Sequence, residues 1–256
     1  MTGSLKISII TPSFNQGAFI EETILSVLNQ TYKNIEYIVV DGGSTDDTLA
    51  VLDKYKDKID IVISEKDKGQ ADAINKGFKL ATGDMVGWLN SDDILYLDCV
   101  EKIVDLYKKN QDGAIYYHSK NDMIDENGIL VKTYQHIISG RDHLLRENYN
   151  VIQQGSFYSL EMVKTVDYLD ISNYYCMDLD LWLKLLNCGP IYYTIDKPHA
   201  AFRIYTGTKT DTGKEKFLKN IYYVLRKHNA KLYYPTIWHK IFIYYLKARI
   251  KKIFFS

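Results

Sequence analysis

The first hundred residues alternate between two hydrophobic rhythms. Residues 6–11 are β-branched and apolar, as a strand requires, and Pro12 is expected to stop them. In 18–29 the apolar residues Ile20, Ile24, Val27 and Leu28 recur at helical spacing. Residues 36–40 form the next strand pattern, and 46–55 a helix with Asp46 or Asp47 as its N-cap. A strand at 59–64, a helix at 70–80, a strand at 85–89 and a helix at 98–108 follow. Strand–helix alternation at this pace predicts right-handed βαβ units and a parallel sheet.

The second half is less regular. Residues 114–118 and 129–134 read as strands around an Asn127-Gly128 turn. Residues 140–148 read as a helix, and 178–186 as an amphipathic one with Leu179, Trp182, Leu183 and Leu186 inward. A strand at 191–195 and a helix at 214–228 complete the pattern.

Each of the first four strands runs into a polar or turn-forming cluster. These are Thr11-Pro12-Ser13-Phe14-Asn15, Asp41-Gly42-Gly43-Ser44-Thr45-Asp46, Ser64-Glu65-Lys66-Asp67-Lys68-Gly69 and Asn90-Ser91-Asp92-Asp93. In a parallel sheet they share one edge, where ligands of such sheets bind. Asn90 to Asp93 is the most specific cluster. Adjacent carboxylates repel, so they make sense around a hard divalent cation that also meets a phosphate. The competing reading is that Asp92 or Asp93 caps a helix starting near Ile94.

Composition adds an asymmetry. The 256 residues carry 32 basic and 32 acidic groups. No acid occurs after Glu215, whereas ten Lys and Arg fall between Lys216 and Lys252. Residues 1–215 are therefore at net −10, followed by a basic tail rich in Tyr, Phe and Trp. Such a tail suits an anionic membrane surface, with Lys240, Lys247 and Lys251 on one helical face; the alternative is a helix packed on the acidic body. An acidic body argues against nucleic acid. Cys99, Cys176 and Cys188 show no paired spacing, and no leader or membrane-spanning pattern is visible. A cytoplasmic protein, peripheral on the inner face of the cell membrane, is expected.

Five segments in order resemble family 2 glycosyltransferases of the inverting, GT-A type that build bacterial surface polysaccharides. They are Ile9 to Asn15, Val39 to Thr48, Glu65 to Gly77, Gly87 to Asp93 and Met177 to Leu185, and the likeness covers about residues 5–210. The resemblance implies an α/β nucleotide-sugar-binding fold: a mixed, mainly parallel central sheet flanked by helices, plus a C-terminal helical tail. It divides the chain into a transferase domain at 1–212 (donor half 1–97, acceptor half 98–212) and an extension at 213–256. It further implies transfer of a sugar from a nucleotide-diphosphate sugar, UDP favoured, to a hydroxyl of a glycan or lipid-linked acceptor.

The resemblance also assigns residues. Thr11, Pro12, Ser13 and Asn15 meet the nucleoside. Asp41 reads the base, with an Asx-turn as its structural alternative. Gly43, Ser44, Asp46, Asp67, Gly69, Asn75 and Lys76 join the nucleotide-sugar site, and Asn90, Ser91, Asp92 and Arg203 face ribose, metal or phosphate. Asp92 binds Mn²⁺ or Mg²⁺, with Asp93 as the alternative ligand. Asp178 is the general base, and Gln154 and Trp182 lie on the acceptor side. Three positions depart from the family pattern: Asn90 replaces an acid, Met177 replaces the first acid before the base, and Tyr205 replaces a His. Two other classes remain. A nucleotidyltransferase would need a Gly-rich triphosphate loop after the first strand, which is absent. A non-catalytic sugar-nucleotide or glycan-binding module would lack a working Asp178.

Overall fold

Nothing in the first strand, β1 (Ile7–Ser13), is exposed, because it lies near the centre of a seven-stranded sheet. The computed structural model describes residues 4–243, without the side chains of 210, 211, 214 and 239–241. The strands β2 (Ile35–Asp41), β3 (Ile61–Ser64) and β4 (Met85–Trp88) all run parallel to β1, in the spatial order β4-β1-β2-β3. The connecting helices α1 (Ile20–Leu28), α2 (Thr48–Tyr55) and α3 (Gln70–Leu80) fall where the periodicity predicts them. Strand β1 continues through Pro12, two residues past the expected stop. Its ladder with β4 ends at Ile10, so a residue without an N–H is tolerated there.

The sheet continues past β4 with elements from the second half. The order is β10-β6-β9-β4, where β6 is Ile115–His118, β9 Phe157–Ser159 and β10 Ile191–Thr194. Only β9 runs against its neighbours. Gly87 admits it closely: a Cβ at Gly87 would lie 2.6 Å from the Ser156 carbonyl oxygen. One sheet thus crosses the expected division at residue 97.

A second sheet of four strands has the order β5-β11-β7-β8, with β5 at Ile94–Leu95, β7 at Lys120–Ile124, β8 at Leu130–Gln135 and β11 at Ala200–Arg203. Two expectations change here. The Asn127-Gly128 hairpin joins β7 and β8, so β6 is not its partner. Ile94 begins a short strand rather than a helix. Strands β5, β7, β9 and β11 carry too little periodicity of their own to be read.

The remaining helices are α4 (Cys99–Lys109), α5 (Arg141–Arg146), α6 (Leu160–Thr165), α7 (Met177–Leu185) and α8 (Lys209–Lys227). Helix α8 starts five residues earlier than its pattern predicts. It sends Leu218, Ile221, Val224 and Leu225 into the same core as Trp182 and Leu183 of α7. Asp180, fully buried, anchors it by accepting from His228 at 2.8 Å and pairing with Lys227. A seven-residue π-helical stretch, Thr236–Phe242, follows. Among the described residues no helix is long and apolar enough to cross a membrane.

Candidate active site

Parallel pairing aligns Ser13 with Asp41 and Asp41 with Ser64, so three strand ends finish in one row. Together with the end of β4 they open a cavity of about 940 Å³. Its walls include Pro12, Ser13, Gln16, Gly43, Asp67, Gly69, Asn90, Ser91, Asp92, Gln153, Gln154 and Asp178. The sheet order stands β4, and with it Asp92, between the nucleotide loops and the β9–α7 side that carries Asp178.

At the nucleotide end, Asp41 is wholly buried and does not line the cavity. Its carboxylate accepts from the Gly43 and Ser44 amides at 3.1 and 2.9 Å, from Ser64 Oγ at 2.7 Å, and from Ser44 Oγ. Those bonds hold Gly43 at φ +83°, the conformation glycine permits. Asp41 therefore makes the Asx-turn, and its oxygens are spent on the loop. The carboxylate presented to the cavity is Asp67, which accepts from the Gly69 amide at 2.7 Å. It packs over Gly42, where a Cβ would come within 2.6 Å of Asp67 Oδ2.

Other expected contacts serve the frame. Thr11 Oγ1 bonds Tyr37 Oη. Asn15 accepts from the Thr45 amide and Ser44 from the Asn15 amide, which ties two loops together. Asp46 accepts from the Gly17 and Thr48 amides at the start of α2. Asn75, nearly buried, exchanges two bonds with the Leu169 backbone, and Lys76 pairs with Glu65 at 2.7 Å. Neither is on the cavity wall.

The Asn90–Asp93 turn separates its carboxylates by role. Asp93 points inward, accepting from Asn90 Nδ2 at 2.9 Å, Gln154 Nε2 at 2.9 Å and the Arg203 amide at 3.0 Å. Burial, then the neighbouring Asp92 charge, pushes its carboxyl up to about 8. The alternative metal ligand is therefore a buried hub of the frame. Asp92 faces the cavity and accepts from Tyr205 Oη at 3.0 Å; burial raises its carboxyl as well. Arg203 departs from expectation too. Its side chain is 1% exposed and is spent on Glu22 and on the carbonyls of Asp92, Asp125 and Glu126.

Two buried oxygens on the cavity wall, Ser13 Oγ and Gln16 Oε1, have no hydrogen-bond partner among the described residues. Buried polar atoms are rarely left so, and a polar ligand would satisfy them. Among the described residues no group of three or more His, Cys, Asp or Glu is arranged to hold a metal ion. The donor set thus fits a cation held by one protein carboxylate and completed by phosphate oxygens and water, the habit of Mg²⁺-type ions. Asp92 is the residue that would hold it.

Asp178 is the second residue of α7, partly buried at the cavity wall, and its Oδ1 accepts from the Leu179 amide at 2.8 Å. Burial pushes its carboxyl up to about 6; the Leu179 amide and the Lys209 charge act the other way. Asn173 and Asn220 position this turn, both accepting from the Cys176 amide at 3.1 Å. The sequence gives no sign of their role, because they meet only through the packing of α8. Trp182, expected near the acceptor, is fully buried and donates to Tyr158 Oη at 3.0 Å; Gln154 does line the cavity.

The geometry has parallels among known proteins. The family model for glycosyl transferase family 2 matches residues 8–163. A putative teichuronic acid biosynthesis glycosyltransferase, TuaG, of Bacillus subtilis is 28% identical, over 96% of both chains. The chondroitin synthase of Escherichia coli is 30% identical over 72% of this chain and 27% of its own length. An uncharacterized glycosyltransferase of Rickettsia typhi is 31% identical over 75% of this chain and 62% of its own. The chain thus spans less than two thirds of several curated relatives. Among solved structures, S. aureus TarS 1–349 in complex with UDP-GlcNAc superimposes with a TM-score of 0.68 at 20% identity, covering 89% of this chain and 68% of that one. The mannosyltransferase PcManGT of Pyrobaculum calidifontis, in complex with GDP-Man and Mn²⁺, gives 0.67 at 16% identity, covering 93% and 69%. These two share the GT-A fold with this chain. With the family model covering more than half of its residues, the chain belongs to glycosyl transferase family 2.

Proposed function

We propose that the chain moves a sugar from a nucleotide-diphosphate sugar, a UDP-sugar by preference, to a hydroxyl of a glycan or lipid-linked acceptor in polysaccharide synthesis, with inversion at the anomeric carbon. One observation carries this reading. A single cavity holds the Asp67 loop, the Asp92 carboxylate and the Asp178 carboxylate. Donor recognition, leaving-group stabilisation and base therefore share one space.

The nucleoside lies on the Pro12–Phe14 and Gly42–Gly43 walls. Asp67, rather than Asp41, accepts the ring N–H of the base, since Asp41 has no oxygen to spare. Asp92 would hold a divalent cation, which would neutralise the departing diphosphate. Asp178 takes the proton of the acceptor hydroxyl while its oxygen forms the new bond to the anomeric carbon. The bond from that carbon to the phosphate oxygen breaks, and its electron pair leaves with the diphosphate. Tyr134, Tyr174, Tyr175, Phe202 and Phe217 also line the cavity and offer flat apolar faces to sugar rings. The likeness to TuaG, a putative teichuronic acid biosynthesis glycosyltransferase, supports a polysaccharide setting. The basic, aromatic C-terminal part would keep the enzyme against an anionic membrane, next to a lipid-linked acceptor.

Thermal melting with UDP, GDP, dTDP and CMP, each with Mn²⁺ or EDTA, tests the donor site. A ligand at about 100 times its Kd stabilises by roughly 2.7 kcal/mol. The expected result is one nucleotide, UDP, raising the melting temperature in a Mn²⁺-dependent way. No shift with any of the four would overturn the donor reading and favour a binding module for glycans alone.

A further inference from the structure

A leaving diphosphate needs positive charge, and the residue expected to give it does not. Arg203 is closed off under Glu22 and three carbonyls. Among the described residues, the basic side chains on the cavity wall are Lys66 and Lys209. Lys66 sits beside Gly43, at the nucleoside end. Lys209 is the first residue of α8, and its surroundings are unusual for a lysine.

The Lys209 ammonium donates to Gln70 Oε1 at 2.7 Å and to the Tyr174 carbonyl at 3.4 Å, and lies 4.0 Å from the centre of the Tyr174 ring. These partners are neutral. Gln70 in turn donates to Asn90 Oδ1 at 2.7 Å. A chain of two hydrogen bonds therefore runs from Lys209 to the position where an acid of the metal motif is replaced by an amide. The site has one negative charge fewer than the family pattern, and a lysine stands next to the gap. Burial pushes the ammonium down to about 8, while the Asp178 charge holds it up. A desolvated cation with only neutral partners gains much from an incoming anion.

We propose that Lys209 is the side-chain cation that binds the donor's diphosphate in this chain, beside the divalent ion that Asp92 would hold, taking over the part that Arg203 cannot play. The proposal rests on the donor reading above. On donor binding the ammonium leaves Gln70 for a phosphate oxygen. As the bond to the anomeric carbon breaks, the electron pair settles on the diphosphate, and Lys209 stabilises it by donating a hydrogen bond while keeping its proton.

Calorimetric titration of the full chain with UDP and with uridine, in Mn²⁺, tests this. The Kd ratio between the two isolates the diphosphate contribution and is insensitive to partial loss of folded protein. Lys209→Met is expected to weaken UDP binding roughly 10- to 100-fold, the scale of a hydrogen bond to a charged group, and to leave uridine within about twofold. Lys209→Arg should recover most of the loss. An unchanged ratio in Lys209→Met, or a ratio that collapses in Lys66→Met instead, overturns the proposal while the donor reading stands. If the wild type prefers GDP or dTDP, the same ratio is taken with that nucleotide and its nucleoside. Failure of the wild type to bind any nucleoside diphosphate removes the donor reading and this inference together.

Discussion

A carboxylate is most effective as a base at neutral pH when its environment holds its proton affinity near that pH. Asp178 meets this condition. Burial lifts it to about 6, and the opposing Leu179 amide and Lys209 charge keep it from rising further. The sign follows directly: above about pH 6 the carboxylate is free to accept a proton, and below it the base is already occupied. Transfer measured as kcat/KM is expected to fall about tenfold per pH unit below 6 and to level off between about 6 and 8, above which Lys209 loses its proton. Asp178→Asn should lose about 10²–10⁴-fold in transfer while binding donor normally, and near wild-type transfer would show that another group is the base. The placing of Asp178 and Asp92 at one shared cavity was legible in the chain. The roles of Asp41, Asp93 and Arg203 were not. Motif spacing names a carboxylate at a strand end but does not say where it points. Asp41 turns inward because Ser44, Ser64 and the following amides surround it, and Asp93 because Gln154, from the turn before β9, and Arg203, from β11, arrive from parts of the chain distant in sequence.

Elements were readable in proportion to their own hydrophobic period. Helix α3 matches its expected bounds, and β1 to β4 come within about two residues. The strands missed are the two-residue β5, the three-residue β9, the polar β7 and the Ala-rich β11. Each exists because a neighbour offers a ladder, which no local pattern records. The same dependence shows in Glu36 on β2. Burial pushes its carboxyl up, but bonds from Lys6 Nζ at 2.9 Å, Ser8 Oγ at 2.5 Å and the Thr82 amide at 2.8 Å outweigh this and hold it down to about 2. Glu36 thereby ties β1, β2 and the turn entering β4. A depressed carboxyl stabilises above its unfolded value near 4.5, and that contribution is lost as pH falls from about 4.5 to 2. Glu36→Gln should lower stability by on the order of 2–3 kcal/mol at pH 7, or roughly 5–10 °C in Tm. The gap from the wild type should close as melts are repeated down to pH 2.5. A constant gap across that range would assign the loss to packing instead.

At the scale of the whole molecule, the division of charge becomes a division of surface. The α8 helix packs its apolar face on the body and neutralises Asp170 and Asp180 through Lys227, so the acidic body and the basic segment do meet. What α8 and its successor turn outward is different. Tyr223, Leu232, Tyr233, Trp238 and Phe242 are each more than half exposed, among Lys216, Lys219 and Lys231. Lys240, Lys247 and Lys251, the basic face read from sequence, lie outside the described residues or side chains. Aromatic rings with basic neighbours are the pairing that interfacial binding rewards, at about 1 kcal/mol per Lys or Arg near an anionic surface. Packing and the proposed membrane contact would thus use different residues of one segment. Truncation at Tyr233 would not test this cleanly, because Thr236 and Ile237 beyond it are buried. Exposed positions are the better target. The full chain is expected to co-sediment at least tenfold more with vesicles containing phosphatidylglycerol than with phosphatidylcholine alone, and to be released at high salt. The triple change Tyr223→Ser, Tyr233→Ser and Trp238→Ser should abolish most of that binding with little change in melting temperature. Equal binding to both vesicle types, or binding untouched by the triple change, would mean that this face does not dock on lipid.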